Sequence, residues 1–322
     1  MTIYYFKNNY FPKVKTGDNF ASEASFHHDR GVAFAGEGAF FASGINEGGS
    51  VHFATTPNNS FTDLKDWITK SFGDSQPTES EYVPGTFYNR MWRPLACGGS
   101  YLSTVPEEQY NSTLIALLIL VSKLQNLFET VEPDSLNLHA HGHKIRELLL
   151  LACMEIESAW SAILKANGYS SKRRLTTKDY VKLAVPMLLE GYEVRLQSYP
   201  NFPVFTPFDN WDSSNPTISL PWYAAYNKTK HDREGNLNVA TLENAVKAVG
   251  AAVVMFYAQF GCRSVRGRFD QSSVVWQIFN VTPKLQVYEK EFYIPKVELN
   301  AGTNGSPMTS RDWTSMNYSF TI

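Results

Sequence analysis

Helical spacing of apolar residues through the centre of the chain is the feature that most constrains its fold. Between Pro106 and Gly261, leucine, valine, alanine and aromatic residues recur three or four positions apart, as on one face of an α-helix. Proline at a break and glycine after the last apolar residue are typical of helix boundaries. We therefore predict a bundle of long helices with a shared core. The predicted helices run from Pro106 to the break before Pro133, from about residue 134 to Asn167, from Thr177 to Leu196 and from near Asn238 to Gly261.

The flanking regions favour strands. Residues 1–105 are rich in Gly, Phe, Tyr, Ser, Thr and Asn, with short β-like runs and one short helix predicted at 62–72. Residues 274–298 alternate in a strand-like way. We predict an α+β fold, in which a helical bundle at 106–268 is flanked by β-leaning segments at 1–105 and 269–322. The flanks either form one sheet together or cover the bundle.

Charge is uneven along the chain. The 322 residues are 43% hydrophobic, which suffices for a large core, and the formal net charge of −2 argues against general nucleic-acid binding. Counted by region, the net charge is −4 for residues 1–130, +3 for 131–268 and −1 for 269–322. Residues 131–268 are thus the only net-basic region of the three, and the overall charge does not argue against a local basic patch there.

Cysteine usage and the apolar runs indicate a soluble, cytoplasmic protein without a membrane partner. Cys97, Cys153 and Cys262 are isolated, which favours free buried thiols over disulfides or a metal site. The first residues lack the basic and apolar regions of a secretory signal. The longest apolar run, Leu114–Val121, is too short to span a membrane.

The segment Leu220–Arg233 concentrates the polar chemistry of the bundle. Pro221 suits the first helical position, and we expect Ser219 to cap the helix. Helical spacing gives this segment two faces. One face is apolar, and the other presents an amide, a cation and an imidazole. The polar face suits binding or cleaving a phosphodiester. The polar face carries Tyr223, Asn227, Lys230 and His231, and the apolar face Trp222, Ala225, Tyr226 and Thr229.

The helix order resembles the HEPN superfamily (higher eukaryotes and prokaryotes nucleotide-binding). A long helix, a second helix, a short helix bearing Asn-x-x-Lys-His and a last long helix follow one another over roughly residues 134–262. The resemblance rests on residues 146–157, 226–233 and 240–249. It implies a helical bundle that dimerises so that both motif helices line one cleft. It further implies a metal-independent ribonuclease of a phage-defence or toxin type, without cofactor.

The resemblance also assigns roles to residues. Nuclease members carry an arginine, four to six residues and a histidine; here His231 matches the histidine and Asn227 the polar residue after the arginine. If four residues separate the two motif positions, Tyr226 stands at the arginine position. If five or six residues separate them, an alanine stands there. His231 would be the general base or acid, Lys230 and Arg233 the phosphate clamp, and Asn227 the orienting group. The residues predicted to contact RNA are Tyr223, Tyr226, Lys228, Lys172, Arg173 and Arg174.

Two other classes of function stay open. Without the arginine, the bundle would be a catalytically inactive RNA- or nucleotide-binding module, or a scaffold with other defence-system subunits as partners. Alternatively, the protein is mainly structural, with tryptophans at subunit interfaces: Trp211, Trp222, Trp276 and Trp313.

Histidine and glutamate clusters receive structural interpretations. His139 and His143 have helical i, i+4 spacing, which can hold a metal ion, but no further ligand is identifiable. A polar first turn of the second helix is therefore favoured over a metal site. Glu155 and Glu157 do not share a helical face, and we expect them to be exposed or paired with lysine.

Overall fold

The structure is a computed structural model that describes most of the chain. Lys172, Cys97 and Cys262 lie outside the described residues. The described residues are 2–16, 19–25, 29–36, 39–44, 51–55, 61–80, 83–93, 104–171, 173–261, 272–284, 293–294, 296–298, 308–309 and 312–320.

The described residues combine helices and short strands, as predicted for a mixed α and β protein. The helices are α1 Leu64–Phe72, α2 Glu107–Phe128, α3 His143–Ala166, α4 Thr177–Tyr180, α5 Pro221–His231, α6 Arg233–Asn236, α7 Leu242–Phe260 and α8 Ser272–Ile278. The strands are β1 Ile3–Lys7, β2 Lys13–Thr16, β3 Asn19–Ser25, β4 Arg30–Gly36, β5 Ala39–Gly44, β6 Val51–Thr55, β7 Thr78–Glu79, β8 Thr86–Tyr88, β9 Tyr192–Leu196, β10 Phe279–Pro283, β11 Val297–Glu298, β12 Met308–Thr309 and β13 Thr314–Met316.

Packing divides the chain into two compact units. The sheet unit comprises residues 1–87, 93–104 and 285–316, and the helical unit comprises 88–92, 105–284 and 317–322. Both predicted flanks thus contribute to the sheet unit, whereas residues 272–284 cluster with the helices. The predicted three-part division at 105 and 268 otherwise stays a prediction.

The sheet unit is built around one antiparallel sheet covered by α1. The strand order is β6-β5-β4-β1-β7. Asp63 caps α1 by accepting a hydrogen bond from the Asp66 amide at 2.9 Å, and Gly73 ends it in the left-handed region at φ 77°. The apolar face of α1 and the inner face of the sheet form one core, which contains Phe6, Ala33, Phe40, Ala42, Phe61, Leu64, Trp67, Ile68 and Phe72.

The helical unit is organised around α7. Sixteen of the 19 residues of α7 are buried, because α2, α3 and α5 all pack against it. Gly261 ends the helix as the sequence predicts, whereas its start lies at Leu242, capped by Thr241, rather than near the predicted Asn238. A Cβ atom at Gly250 would lie 2.6 Å from the Phe205 ring, so this close approach requires glycine. Strands β9 and β10 pair antiparallel beside α7.

One described helix, α2, is long and apolar enough to span a membrane by length and composition. Its buried residues include Leu117, Val121 and Leu124, and the helix packs against α3 and α7. A core helix of a soluble protein passes the same test, so this composition is weak evidence for a membrane span.

The predicted helix over Thr177–Leu196 is wrong. Helix α4 ends at Tyr180, short 3-10 turns follow, and residues 192–196 form strand β9. Pro186 lacks an amide hydrogen and disfavours helical geometry in the residue before it. Leu188 then adopts the left-handed region at φ 55°, which turns the chain toward β9.

The strand predicted from residue 274 is also corrected, since residues 272–278 form helix α8. Ser272, Val275 and Ile278 are buried at a spacing of three, so helical packing outweighs the strand preference of the two valines. Strand structure begins only at β10. The expected cap of α5 differs too: the Ser219 hydroxyl accepts a hydrogen bond from the Asp212 amide at 3.0 Å, and Leu220 is the residue before the helix.

The histidine cluster does not share a helix. Helix α3 begins at His143, so His139 precedes it and the two side chains lack the i, i+4 helical geometry of a metal site. His141 instead forms a β-bridge with Thr241 at the start of α7. The segment therefore joins the beginnings of two helices.

Candidate functional site

Helix α5 has one buried and one exposed face, which differ from the predicted faces at Tyr223. Pro221 occupies the first turn, where its missing amide hydrogen costs nothing. Trp222, Tyr226 and Thr229 are buried against the bundle, and the Trp222 indole donates a hydrogen bond to the Pro207 carbonyl at 2.8 Å. Tyr223, predicted on the polar face, is also buried. The buried face holds the helix on α3 and α7 and leaves its other face to solvent.

A tyrosine and a glutamate connect α5 to α3. The Tyr223 hydroxyl donates a hydrogen bond to Glu157 Oε1 at 2.6 Å. Burial, and then the neighbouring carboxylate, raise the pKa of Tyr223 far above its ordinary value, so the phenol stays protonated. Glu157 is therefore neither free nor paired with a lysine, which corrects its expected role. It fixes the position of Tyr223 under the exposed face.

A second tyrosine holds one of the lysines. Lys230 Nζ donates a hydrogen bond to the Tyr226 hydroxyl at 2.9 Å and lies 4.9 Å from the centre of the same ring. Burial raises the pKa of Tyr226, and the hydrogen bond with Tyr226 raises the pKa of Lys230. Lys230 is thus a positioned cation, while Tyr226 is a buried neutral phenol.

His231 lies on the last turn of α5 and is exposed. Its imidazole makes no hydrogen bond with the residues that the structure describes. Asn227 donates its amide to the Tyr223 carbonyl at 3.0 Å, which leaves the Asn227 side-chain oxygen without a protein donor in the described residues. Lys228 and Arg233 are exposed nearby in the sequence, and Arg233 makes only a long ion pair of 3.8 Å with Glu234.

The end of α5 is bound by an arginine that sequence reasoning did not single out. Arg146 of α3 donates a hydrogen bond from Nη2 to the Thr229 carbonyl at 3.0 Å. Cations are favourable at a helix C-terminus, where carbonyls are unpaired. The pairing joins residues 83 positions apart, so no local sequence signal could predict it.

A basic groove lies along the C-terminal half of α3. It has a volume of about 850 Å³, and its lining includes Glu157, Lys165, Arg173 and Arg174. Glu157 lines this groove and also accepts the hydrogen bond of the Tyr223 hydroxyl, so the groove adjoins α5.

Arg173 is held inside this groove by a buried carboxylate. Its guanidinium contacts Asp179 at 3.0 and 3.2 Å, and Tyr169 donates a further hydrogen bond to the same carboxylate at 2.8 Å. Burial alone raises the pKa of Asp179, but hydrogen bonds from Thr176 and Tyr169 and the charge of Arg173 outweigh it and lower the pKa below its ordinary value. The charge of Arg173 is therefore largely compensated.

This carboxylate makes stability depend on pH. Because the folded-state pKa of Asp179 is lowered, its stabilisation is complete above the unfolded-state pKa of about 3.9 and is lost as the pH falls through the folded-state pKa. We expect Asp179→Asn to lower the free energy of unfolding by about 1.5–3 kcal/mol at pH 7 and by much less at pH 3. Urea unfolding at both pH values tests this.

The control is Asp209→Asn, at an exposed carboxylate that accepts a hydrogen bond from neighbouring Asn210. It is expected to change stability little at either pH. An equal loss for Asp179→Asn at pH 7 and pH 3 would contradict the role assigned to the carboxylate.

Of the residues predicted to form the site, Tyr223, Tyr226 and Lys230 lie together on α5, His231, Lys228 and Arg233 are exposed at its end, and Arg174 lines the adjoining groove. Arg173 lies in the adjoining groove, and Lys172 lies outside the described residues. In comparisons with protein-family models, curated proteins and solved structures, nothing matches this chain, and the resemblance to the HEPN superfamily stays a prediction.

Proposed function

We propose that this chain is a HEPN-like, metal-independent endoribonuclease of a phage-defence or toxin type that acts as a homodimer in the cytoplasm. The observation that carries the proposal is the exposed His231 imidazole, which ends a helix bearing Lys228 and Lys230 and makes no hydrogen bond within the described residues. Histidine is the side chain best suited to transfer protons near neutral pH. Lysines beside it suit the negative charge of a phosphodiester.

The proposed reaction consists of two proton transfers around one phosphorus atom. His231 removes the proton of a ribose 2′-hydroxyl, whose oxygen attacks the adjacent phosphorus and displaces the 5′-oxygen. The leaving oxygen takes a proton, which gives a 2′,3′-cyclic phosphate and a 5′-hydroxyl. Lys230 and Arg233 stabilise the charged transition state, and the free Asn227 oxygen orients the 2′-hydroxyl. A homodimer supplies two imidazoles, one for each proton transfer.

The basic groove supports the RNA-binding part of the proposal. Lys165 and Arg174 line it without a carboxylate within ion-pair distance in the described residues, whereas Arg173 is compensated by Asp179. The binding constant K falls as salt rises. Each protein–phosphate contact that is lost from a single-stranded RNA reduces the magnitude of the slope of log K against log salt by about 0.7. We expect Lys165→Gln combined with Arg174→Gln to weaken RNA binding and to reduce that magnitude by about 1.4.

Fluorescence anisotropy with a labelled single-stranded RNA, at several salt concentrations, measures this change. The matched control is Lys144→Gln, because Lys144 lies on the same helix about 30 Å from Lys165. An unchanged slope for the double variant, or an equal change for Lys144→Gln, would place RNA binding elsewhere.

A catalytically inactive RNA-binding or scaffold subunit of a defence complex is the second candidate, and one observation favours it. Tyr226 replaces the arginine of nuclease members, and its hydroxyl is buried and already bonded to Lys230. Such a subunit would bind RNA with the salt dependence described above, would not cleave it, and would keep its affinity in His231→Ala.

A further inference from the structure

A short segment of the helical unit is fixed between the ends of two long helices. Asn89 donates a hydrogen bond to the Ala166 carbonyl at 3.1 Å, and Asn167 donates one to the Asn89 carbonyl at 2.8 Å. The Trp92 amide donates to the Ala258 carbonyl at 2.8 Å. Residues 88–92 therefore have a defined position at the C-terminal ends of α3 and α7.

This segment places Arg90 in an unusual environment. Its backbone lies in the left-handed region at φ 57°, which few residues other than glycine adopt. Its Nε donates a hydrogen bond to Gln259 Oε1 at 2.8 Å. Gln259 is only 2% exposed, and its own amide donates to the Met255 carbonyl at 2.8 Å, so its oxygen is held toward Arg90. The guanidinium is thereby oriented by a buried side chain.

The remaining donors of Arg90 are unused. Its terminal nitrogens make no hydrogen bond with the described residues, and Arg90 forms no ion pair there. Both nitrogens are accessible from open space, and Arg90 lines that space together with Gln259. Burial lowers the pKa of Arg90, although a guanidinium stays charged at any physiological pH. The protein thus keeps a partly buried cation without a carboxylate beside it.

The open space is a cavity of about 240 Å³ between α2, α3 and α7. At about 30 Å³ per water molecule, its volume equals about eight waters, which is the size of a small organic molecule. One wall is apolar and includes Leu117, Ala252, Met255 and Phe256, while Arg90 and Gln259 provide the polar end. Glu155 also lines the cavity but makes no ion pair with Arg90 in the described residues, and its charge opposes a doubly charged anion more strongly than a singly charged one.

We propose that this cavity binds a small organic monocarboxylate. The carboxylate pairs with the two free terminal nitrogens of Arg90. A guanidinium is well suited to this planar pairing, in which two parallel hydrogen bonds form. The apolar body of the ligand packs against the wall that α2 and α7 form. This site is separate from the exposed face of α5, and the proposal does not rest on ribonuclease activity.

Calorimetry and thermal unfolding with benzoate and octanoate test the proposal. We expect binding of at least one of them by the full chain, with a concentration-dependent rise in Tm. Benzamide and octanamide, which lack the charge, are expected to bind at least tenfold more weakly. Arg90→Gln is expected to abolish binding, and Arg90→Lys to weaken it because a lysine cannot pair in the same planar way. Lys144→Gln, at the N-terminal end of α3 and outside the cavity lining, serves as the control that keeps binding.

A second variant covers the case in which Arg90→Gln does not fold. Ala116→Leu fills part of the cavity from α2 while leaving Arg90 unchanged, and it is expected to abolish binding as well. The proposal is overturned if neither carboxylate shows saturation by about 10 mM, or if the neutral amides bind equally well. It is also overturned if phenyl phosphate binds more tightly than benzoate, or if both cavity variants keep wild-type affinity.

Discussion

Replacing His231 by alanine is expected to lower the rate of RNA cleavage by about 10²–10⁴-fold, the usual contribution of a general acid or base. The same change is expected to leave Tm unchanged, because the side chain is exposed and makes no hydrogen bond within the described residues. Single-turnover cleavage of a defined oligoribonucleotide, with thermal unfolding of the same samples, measures both quantities. His139→Ala is the matched control, since it removes an exposed imidazole that precedes α3 and lies outside α5.

The combination of rate and stability separates the alternatives. A fall of several degrees in Tm for His231→Ala would make the histidine structural rather than catalytic. An unchanged cleavage rate, or an equal loss in His139→Ala, would exclude His231 as the proton-transfer group. Partial recovery of cleavage on adding free imidazole to His231→Ala would support the proton-transfer role directly.

Replacing Trp160 by alanine is expected to cost about 3–5 kcal/mol in the free energy of unfolding, the range for removing a large aromatic side chain from a core. Trp160 is fully buried on α3. Its ring stacks on that of Trp211, with 4.9 Å between the ring centres. The ring centres of Tyr180 and Tyr223 lie 5.2 and 5.5 Å away. The substitution would leave a cavity directly behind the α5 site.

A pair of phenylalanine variants sharpens this prediction. Within the described part of the chain, the Trp160 indole nitrogen has no hydrogen-bond partner, whereas that of Trp222 donates to the Pro207 carbonyl at 2.8 Å. Trp160→Phe is therefore expected to cost less than Trp222→Phe, which leaves a buried carbonyl without its donor. Urea unfolding followed by circular dichroism measures all three variants. A loss below about 1 kcal/mol for Trp160→Ala, which is close to the effect of a surface substitution, would contradict the packing described.

The long helices were predictable because their cores repeat at helical spacing and their ends carry strong signals. Gly261 and Pro221 act locally, so neighbouring residues suffice to predict what they do. The starts of α3 and α7 were predicted less well, at about residue 134 and near Asn238, whereas these helices begin at His143 and Leu242. The region 177–196 was not predictable in this way, because its apolar residues serve 3-10 turns and a strand that pairs with the distant β10. Helix α8 was missed for a related reason, since its valines favour strands until packing decides otherwise.

The candidate site shows the same limit. Helical spacing correctly separates buried Tyr226 and Thr229 from exposed His231 on α5. It cannot predict that Glu157, 66 positions earlier, accepts the Tyr223 hydrogen bond, or that Arg90 meets Gln259 across 169 positions. These contacts depend on how helices pack, and such pairings leave no periodic pattern in one sequence.

Cleavage of total cellular RNA and tRNA in EDTA, by the purified chain and by His231→Ala of matched Tm, tests the central claim most directly. The account predicts that the wild-type chain yields fragments ending in 2′,3′-cyclic phosphate and 5′-hydroxyl groups without any metal, and that the variant yields none. Intact RNA with both proteins, or the same fragments from both, would contradict it.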